Sequence, residues 1–445
     1  MNKAAEQTPY LWLGAFATMA VLLLVLGGLI ILPPVTLSMF AIATAIGLII
    51  LLFPYVGFLL MIASLGFEAI TPSMPVTIFR ILAIWTFCSW MLKQLLAGRV
   101  SVVRVPQNRC IAAFMLTALV SALFALQPGA SAVQIATLIQ LGVLYFFVTG
   151  IVDSEQRLKH VAWAWIIGGA AASLYAIATF ASQGLARAVG GIGDPNYFVL
   201  YLTIPLALSL VLFQTERSFL LKTFLISSLL AFLVATILSF SRGGLISVMV
   251  ILVLWFLTSR NKRRITAFLL TIAIAILIIF WLLPAIPLQS WLQRISPQLA
   301  LQDAGAGRFY IWRGGLDMFL DHPLMGVGIG NFLYRYPEYS YYDPRGAWQR
   351  VAHNTFLEIA AEQGVFGLLA FLSLLWMTYR YLRTAETVAQ ERKLYCTAQL
   401  AQAFRLGFLG LLAGNFFLTA HLSKSLWLLF GLTVAVYNII INNRR

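Results

Sequence analysis

The sequence predicts an all-α, polytopic integral membrane protein with about 12–14 transmembrane helices and one large extracytoplasmic loop containing short helices. Three observations predict it. Of the 445 residues, 61% are hydrophobic and 10% are charged, whereas a soluble domain carries about 25% charged residues. The apolar residues fall in runs of about 20, the length at which a helix crosses a bilayer. Short basic clusters separate the runs, in the pattern that sets membrane orientation. The net charge of +15 therefore belongs to loops facing membrane lipids and does not form a nucleic-acid-binding face.

Taken in order, spans are expected near 11–32, 35–53, 55–70, 77–97, 109–127, 131–152, 160–181, 196–214, 218–240, 243–259, 264–284, 355–381, 397–420 and 424–441. Merging or re-entry of one pair would leave twelve. The first run is long enough to span and lacks a small-residue cleavage site before Pro33, unlike a cleaved signal peptide. The chain then divides into a first transmembrane part (1–286), an extracytoplasmic loop or lid (287–354) and C-terminal transmembrane helices (355–445). Basic residues follow the fourth run (Lys93, Arg99, Arg104, Arg109), the tenth (Arg260, Lys262, Arg263, Arg264) and the twelfth (Arg380, Arg383, Arg392, Lys393), and Arg444 and Arg445 close the chain. All fall on one side if both termini are cytoplasmic. Arg187, Asp194, Arg242 and the long loop then lie on the outer side.

Residues 287–354 interrupt the apolar pattern with six arginines, twelve aromatics and two of the four histidines. Long loops of this kind carry function more often than packing. Arg242, in SFSRGG, sits at the edge of an apolar run, where a cation is costly unless it pairs, snorkels or binds something. Its two glycines permit a close approach to the backbone. Arg308 and Arg313 lie in GRFYIWRGG, which reads as an amphipathic helix ending near Asp321, before Pro323. Phe309, Trp312, Leu316 and Phe319 are its expected membrane-facing residues. A cation at a helix start opposes the dipole, so an anionic partner for Arg308 is expected.

His353, followed by Asn354 at the loop–span junction, can titrate near neutrality and serve as a general base; capping or interfacial placement is the plainer reading. His322 reads as a helix C-terminal residue and His421 as a loop residue. In GGIGDPN, Asp194 or Asn196 can cap the next helix, and the turn can shape a site with Arg187. Cys88, Cys110 and Cys396 are too scattered for a disulfide framework or metal cluster. GVGIGN lacks the strand–turn–helix setting of a dinucleotide site. There is no P-loop, no Asp-x-Asp pair and no metal-ligand spacing, so neither metal nor cofactor is expected. Arginines with few acids to neutralise them suit a large anionic substrate, and the aromatics suit sugar stacking or interfacial anchoring.

The order of motifs is SRGG after a span, GR-x3-W, HPLMGVGIGNF, then HNTFLE with Gly364 and an apolar run behind it; GDPN precedes an earlier span. In this order, over roughly residues 187–375, the chain resembles the O-antigen ligase and O-antigen polymerase superfamily of bacterial envelope glycosyltransferases. The same order occurs in relatives described as bicarbonate transporters. The resemblance implies a multi-pass protein of the bacterial cytoplasmic (inner) membrane that builds lipopolysaccharide or another envelope polysaccharide. It implies metal-independent transfer of a glycan from undecaprenyl pyrophosphate to a lipid or glycan acceptor. It matches the family's histidine to His353 and its arginines to Arg242 and Arg308; Arg187, Asp194, Asn196, Arg313 and Asn354 are the expected substrate contacts. An O-antigen or exopolysaccharide polymerase is the first alternative. A small-anion transporter is the second, with Arg80 and Arg405 as its mid-membrane candidates; no inverted repeat of the transporter kind is visible.

Overall fold

The computed structural model describes residues 34–68, 77–98, 103–184, 187–259, 261–282, 305–341, 343, 346 and 348–442. The expected first span, 11–32, lies outside them, as do 287–304 with Arg294 and Trp291, and Arg345. The described residues form helices joined by turns and irregular segments, with no strand among them. They fall into two compact units, 34–64 with 77–98, and 65–68 with 103–442.

The first unit holds α1 (Pro34–Leu52), α2 (Pro54–Ala63) and α3 (Ile78–Leu96). Pro54 separates α1 from α2, because its ring disfavours helix at the preceding Phe53 and is welcome at a helix start. With its 3-10 extension, α2 reaches only Phe67, about 21 Å at 1.5 Å per residue and short of a full crossing. The third expected span is therefore a partial one. Trp85 Nε1 donates to the Gly47 carbonyl at 2.8 Å, and Lys93 reaches the Leu52 carbonyl, tying α3 to α1.

The second unit contains α4 (Pro106–Ser121), α5 (Pro128–Ile151), α6 (Glu155–Gln183), α7 (Pro195–Phe213), α8 (Phe219–Leu238), α9 (Arg242–Thr258), α10 (Lys262–Leu282), α11 (Gly305–Asp321), α12 (Phe332–Arg335), α13 (Thr355–Glu391), α14 (Tyr395–Asn415) and α15 (Lys424–Asn442). Among the described residues, seven helices are long and apolar enough to cross a membrane. Among the expected spans outside these seven, α9 has 17 residues and α14 is more polar, carrying Gln399, Gln402, Arg405 and Asn415. α7 is the axis of the unit: it is apolar on all sides and buried along nearly its whole length, against α6, α8, α9 and α14. α14 can lie close because Gly407, Gly410 and Gly414 form one small-residue seam. A Cβ on Gly407 would meet Ile204, one on Gly410 would meet Ile251, and one on Gly414 would meet Leu200 and Ser247. Within a bilayer such seams give helices close packing that apolarity alone does not.

Arg405 is neutralised inside the bundle. Its Nε lies 2.7 Å from Glu386 of α13, with both side chains 13% exposed. Breaking a buried pair costs about 3–5 kcal/mol, because one charge is left uncompensated, whereas replacing both partners by apolar groups costs far less. Glu386→Ala is therefore expected to lower the melting temperature of the detergent-solubilised protein well below that of the Glu386→Leu/Arg405→Leu double variant. Equal melting of the two would show that the pair is not coupled.

Candidate functional site

Two devices fix the geometry of the site. The first is a break in α13. Gly364 has φ 68 and ψ −166, so the helix runs to Gln363, stops, and resumes at Val365. A broken helix frees carbonyls that a bilayer cannot satisfy. Here the segment after His322 satisfies them: Val327 N donates to the Ala361 carbonyl at 2.9 Å and Gly328 N to that of Glu362 at 3.0 Å, while Val365 N donates to Pro323 O at 2.7 Å. The same segment is tied to α4 and α5. Ile329 N donates to Ser121 Oγ at 3.0 Å, Asn331 Nδ2 to Ser131 Oγ at 2.9 Å, and Gln127 N to Asn331 Oδ1 at 2.7 Å. Phe332 N donates to the buried Glu362 carboxylate at 2.9 Å. GVGIGN is thus a strap whose backbone fills the helix break.

The second device is the seating of α11 over α13. Gly314 faces Tyr336 and the Tyr339 carbonyl, and Gly315 faces Phe332 and Leu357. Ile311 and Met318 are buried with them, whereas Phe309, Leu316 and Leu320 are exposed. This corrects the expected membrane face in part. Trp312 is partly buried, its Nε1 donating to the Ala352 carbonyl at 3.1 Å, and Phe319 is partly buried as well. The glycine pair, rather than the aromatics, decides which side of the helix turns inward.

These devices leave Arg308, near the start of α11, beside His353, at the entry to α13. Burial and the neighbouring Arg242 both pull the Arg308 guanidinium below its ordinary value. Burial also lowers the His353 imidazole below the ordinary histidine value; Arg308 lowers it further, and Asp194 acts the other way. Arg242, Arg308, His353 and Asp194 therefore form one electrostatic neighbourhood. Among the described residues neither Arg242 nor Arg308 has an ion-pair partner. His353 itself adopts φ 50, a left-handed conformation rare for a residue with a side chain. Such strain persists where the surroundings enforce it, and it clusters at functional sites.

The remaining candidates divide. Arg187 is tied to the two turns that carry Asp194 and Arg242: its Nε donates to the Ser239 carbonyl at 2.8 Å and its Nη2 to Asn196 Oδ1 at 3.1 Å. That clamp binds the GDPN turn to the SFSRGG turn. Asp194 caps α7, accepting from Asn196 N at 2.7 Å and Tyr197 N at 3.0 Å. Asn354 caps α13 in the same way, through Phe356 N and Leu357 N at 3.0 and 3.1 Å, so the structure gives its carbonyl oxygen a structural task. Arg313 is not brought to the cluster. Its side chain is 60% exposed and pairs with Asp317 one turn on. The glycines of SRGG admit protein rather than ligand: Gly243 abuts Phe417 and Gly244 abuts Val199.

Chemically, the arrangement is suited to an anion beside a proton acceptor. Two cations without a carboxylate between them repel, and they lie near the N-termini of α9 and α11, whose helix dipoles also favour negative charge. An imidazole held neutral beside them can take up a proton. Among the described residues, no group of three or more His, Cys, Asp or Glu side chains is placed to hold a metal ion. Sequence reasoning missed Glu358 and Glu362, both buried on the first half of α13. HNTFLEIAAEQG carries two acids in an apolar run, which is the signal that marks them.

Residues 226–372 match the O-antigen ligase family model, and this segment holds Arg242, Arg308 and His353. A protein of Rickettsia conorii, provisionally named a polysaccharide ligase, is 27% identical over 216 residues, 47% of this chain and 49% of the relative. One of Rickettsia felis with a like name is 25% identical over 344 residues, 73% of this chain and 79% of the relative. The chain thus spans about half the length of the first of these relatives and more of the second. By fold the protein is a polytopic helical membrane protein, and its central segment is similar to the O-antigen ligase family.

Proposed function

We propose that the protein is a membrane glycosyltransferase of the O-antigen ligase kind. It moves a glycan from an undecaprenyl-pyrophosphate donor to an acceptor hydroxyl at the outer face of the bacterial cytoplasmic membrane, with both termini cytoplasmic. The acceptor oxygen attacks the anomeric carbon, and the bond from that carbon to the pyrophosphate breaks. The acceptor's proton passes to His353, and the lipid pyrophosphate departs with the bonding electrons. Arg242 and Arg308 hold the pyrophosphate and stabilise the charge it gains; Arg187, with Asp194 and Asn196, keeps the two turns in register. Attack opposite the leaving group inverts the anomeric centre. The observation that carries this reading is His353 beside Arg308, which in turn neighbours Arg242, with no ion-pair partner for either arginine among the described residues. A small-anion transporter would need a free mid-membrane charge; of its two candidates, Arg405 is paired with Glu386 and Arg80 lies exposed in the first turn of α3.

The test is the length profile of surface glycan in cells carrying His353→Ala. The expected result is normal protein level with transfer lost, a drop of at least about a hundredfold for removal of a general base. Accumulation of donor-linked chains fits a ligase, and accumulation of single repeat units a polymerase. An unchanged profile overturns the assignment of His353.

A further inference from the structure

Behind the arginine–histidine cluster is a cavity of about 370 Å³, within the range of small-ligand sites, roughly 300–1,000 Å³. It lies along the first turn of α13 at Glu358 and along α7 at Tyr197 and Tyr201. Gln134 of α5 and the loop residues His421 and Ser423 complete its polar wall. Its neighbourhood is well built. Tyr197 donates to the Thr419 carbonyl at 2.7 Å, and Thr355 Oγ1 donates to the Leu418 carbonyl at 2.7 Å and accepts from Ala420 N at 2.8 Å. The Thr419 hydroxyl is bonded to Glu358.

Inside this rigid frame several polar atoms are left over. The Tyr201 hydroxyl, Gln134 Oε1, Ser423 Oγ and both ring nitrogens of His421 are buried and have no hydrogen-bond partner among the described residues. His421 is 2% exposed. Native interiors seldom leave such atoms unpaired, and these five belong to four residues that line this cavity. Burial pushes the His421 imidazole down to about 4, so it stays neutral, with one nitrogen donating and the other accepting. The cationic Lys424 on the wall is matched by Glu68. The second carboxylate, Glu358, is bonded by the Thr419 hydroxyl, so the cavity offers donors, acceptors and two tyrosines, with no cation in excess. Hydroxyl groups that both donate and accept, carried on a compact ring with apolar faces, answer that wall.

We propose that this cavity is a binding subsite for one uncharged sugar ring, belonging to one of the two glycan substrates. The assignment rests on the transferase reading for its role, but its chemistry stands on the cavity. The subsite places a ring against the first turn of α13, whose entry carries His353, and so helps align the reacting groups.

The experiment uses the full chain in detergent, with D-glucose and D-galactose as probes in saturation-transfer NMR. Wild type is expected to give a signal with at least one of the sugars. Tyr201→Phe, which removes one unpartnered oxygen and leaves the ring, should weaken binding roughly three- to tenfold with melting unchanged. In reconstituted transfer assays the same variant should raise one KM by a similar factor; a rise for the acceptor assigns the ring to the acceptor, and a rise for the donor assigns it to the donor. No signal from either sugar on the wild type, or both KM values unmoved in Tyr201→Phe, overturns the subsite and leaves a water-filled cavity. Sugar binding that falls in Tyr201→Phe while His353→Ala leaves transfer intact would instead overturn the catalytic reading and leave the subsite standing.

Discussion

Gly364→Ala is expected to abolish accumulation of folded protein in the membrane. The backbone there, at φ 68 and ψ −166, occupies a region that residues with a Cβ essentially do not enter. An added Cβ would also fall within the van der Waals envelope of the Leu324 carbonyl and of Met325 N, which are backbone atoms of the segment leading into the strap. The strap cannot retreat, because its own amides satisfy the carbonyls of Ala361 and Glu362. Moving it would expose several backbone groups at membrane depth, each costing several kcal/mol, on top of about 1–3 kcal/mol of dihedral strain. Gly326→Ala should act alike, since its Cβ would meet the Glu362 carbonyl from the opposite side, again at positive φ. Gly129→Ala is the control: no atom lies within 4 Å of its Cβ, so its effect should stay within about 0.5 kcal/mol. Size-exclusion profiles and melting of fluorescently tagged protein would separate these outcomes. A Gly364→Ala protein melting within a few degrees of wild type would mean that the break is not a structural requirement.

Why the break escaped the sequence reading is instructive. An apolar run from 355 to 381 satisfies the length rule whether or not it is one helix, and a single glycine within it carries little weight. The strap is equally silent, because its hydrogen bonds come from backbone amides that no side-chain pattern announces. Only the two together make sense: the glycines of GVGIGN let the chain pass close to the broken helix, and the broken helix gives its amides a use. The arginines were legible for the opposite reason. Arg242 and Arg308 are cations where cations are costly, and the structure brings them together beside His353. Asn354 and Arg313 carry no such signal. One turned out to cap a helix, and the other faces away, one and a half turns from Arg308. His421 reads as a loop residue in sequence, and it is one; what sequence does not reveal is that the loop is folded inward against Phe114.

Arg308→Gln should lower transfer by roughly 10²–10³, the usual loss when one preorganised donor to a developing anion is removed. It should also move the pH dependence in a direction the charges dictate. His353 must be neutral to accept a proton, so the rate falls as pH drops through its folded-state pKa. Burial and the Arg308 charge hold that pKa below the ordinary histidine value of 6.5, and the acidic limb of the wild-type kcat/KM profile should therefore lie below 6.5. Without the Arg308 charge one depressing influence disappears while Asp194 still favours the imidazolium, so the limb should move to higher pH. Arg308→Lys separates the two roles. It restores the positive charge and should bring the limb back towards its wild-type position. It should recover only part of the rate, because an ammonium group cannot bind phosphate oxygens in the bidentate manner of guanidinium. An acidic limb that stays in place in Arg308→Gln, or lies equally high in both variants, would break the electrostatic link between Arg308 and His353. A loss of rate with no pH displacement would leave Arg308 as a donor-binding residue and would require another explanation for the neutral imidazole.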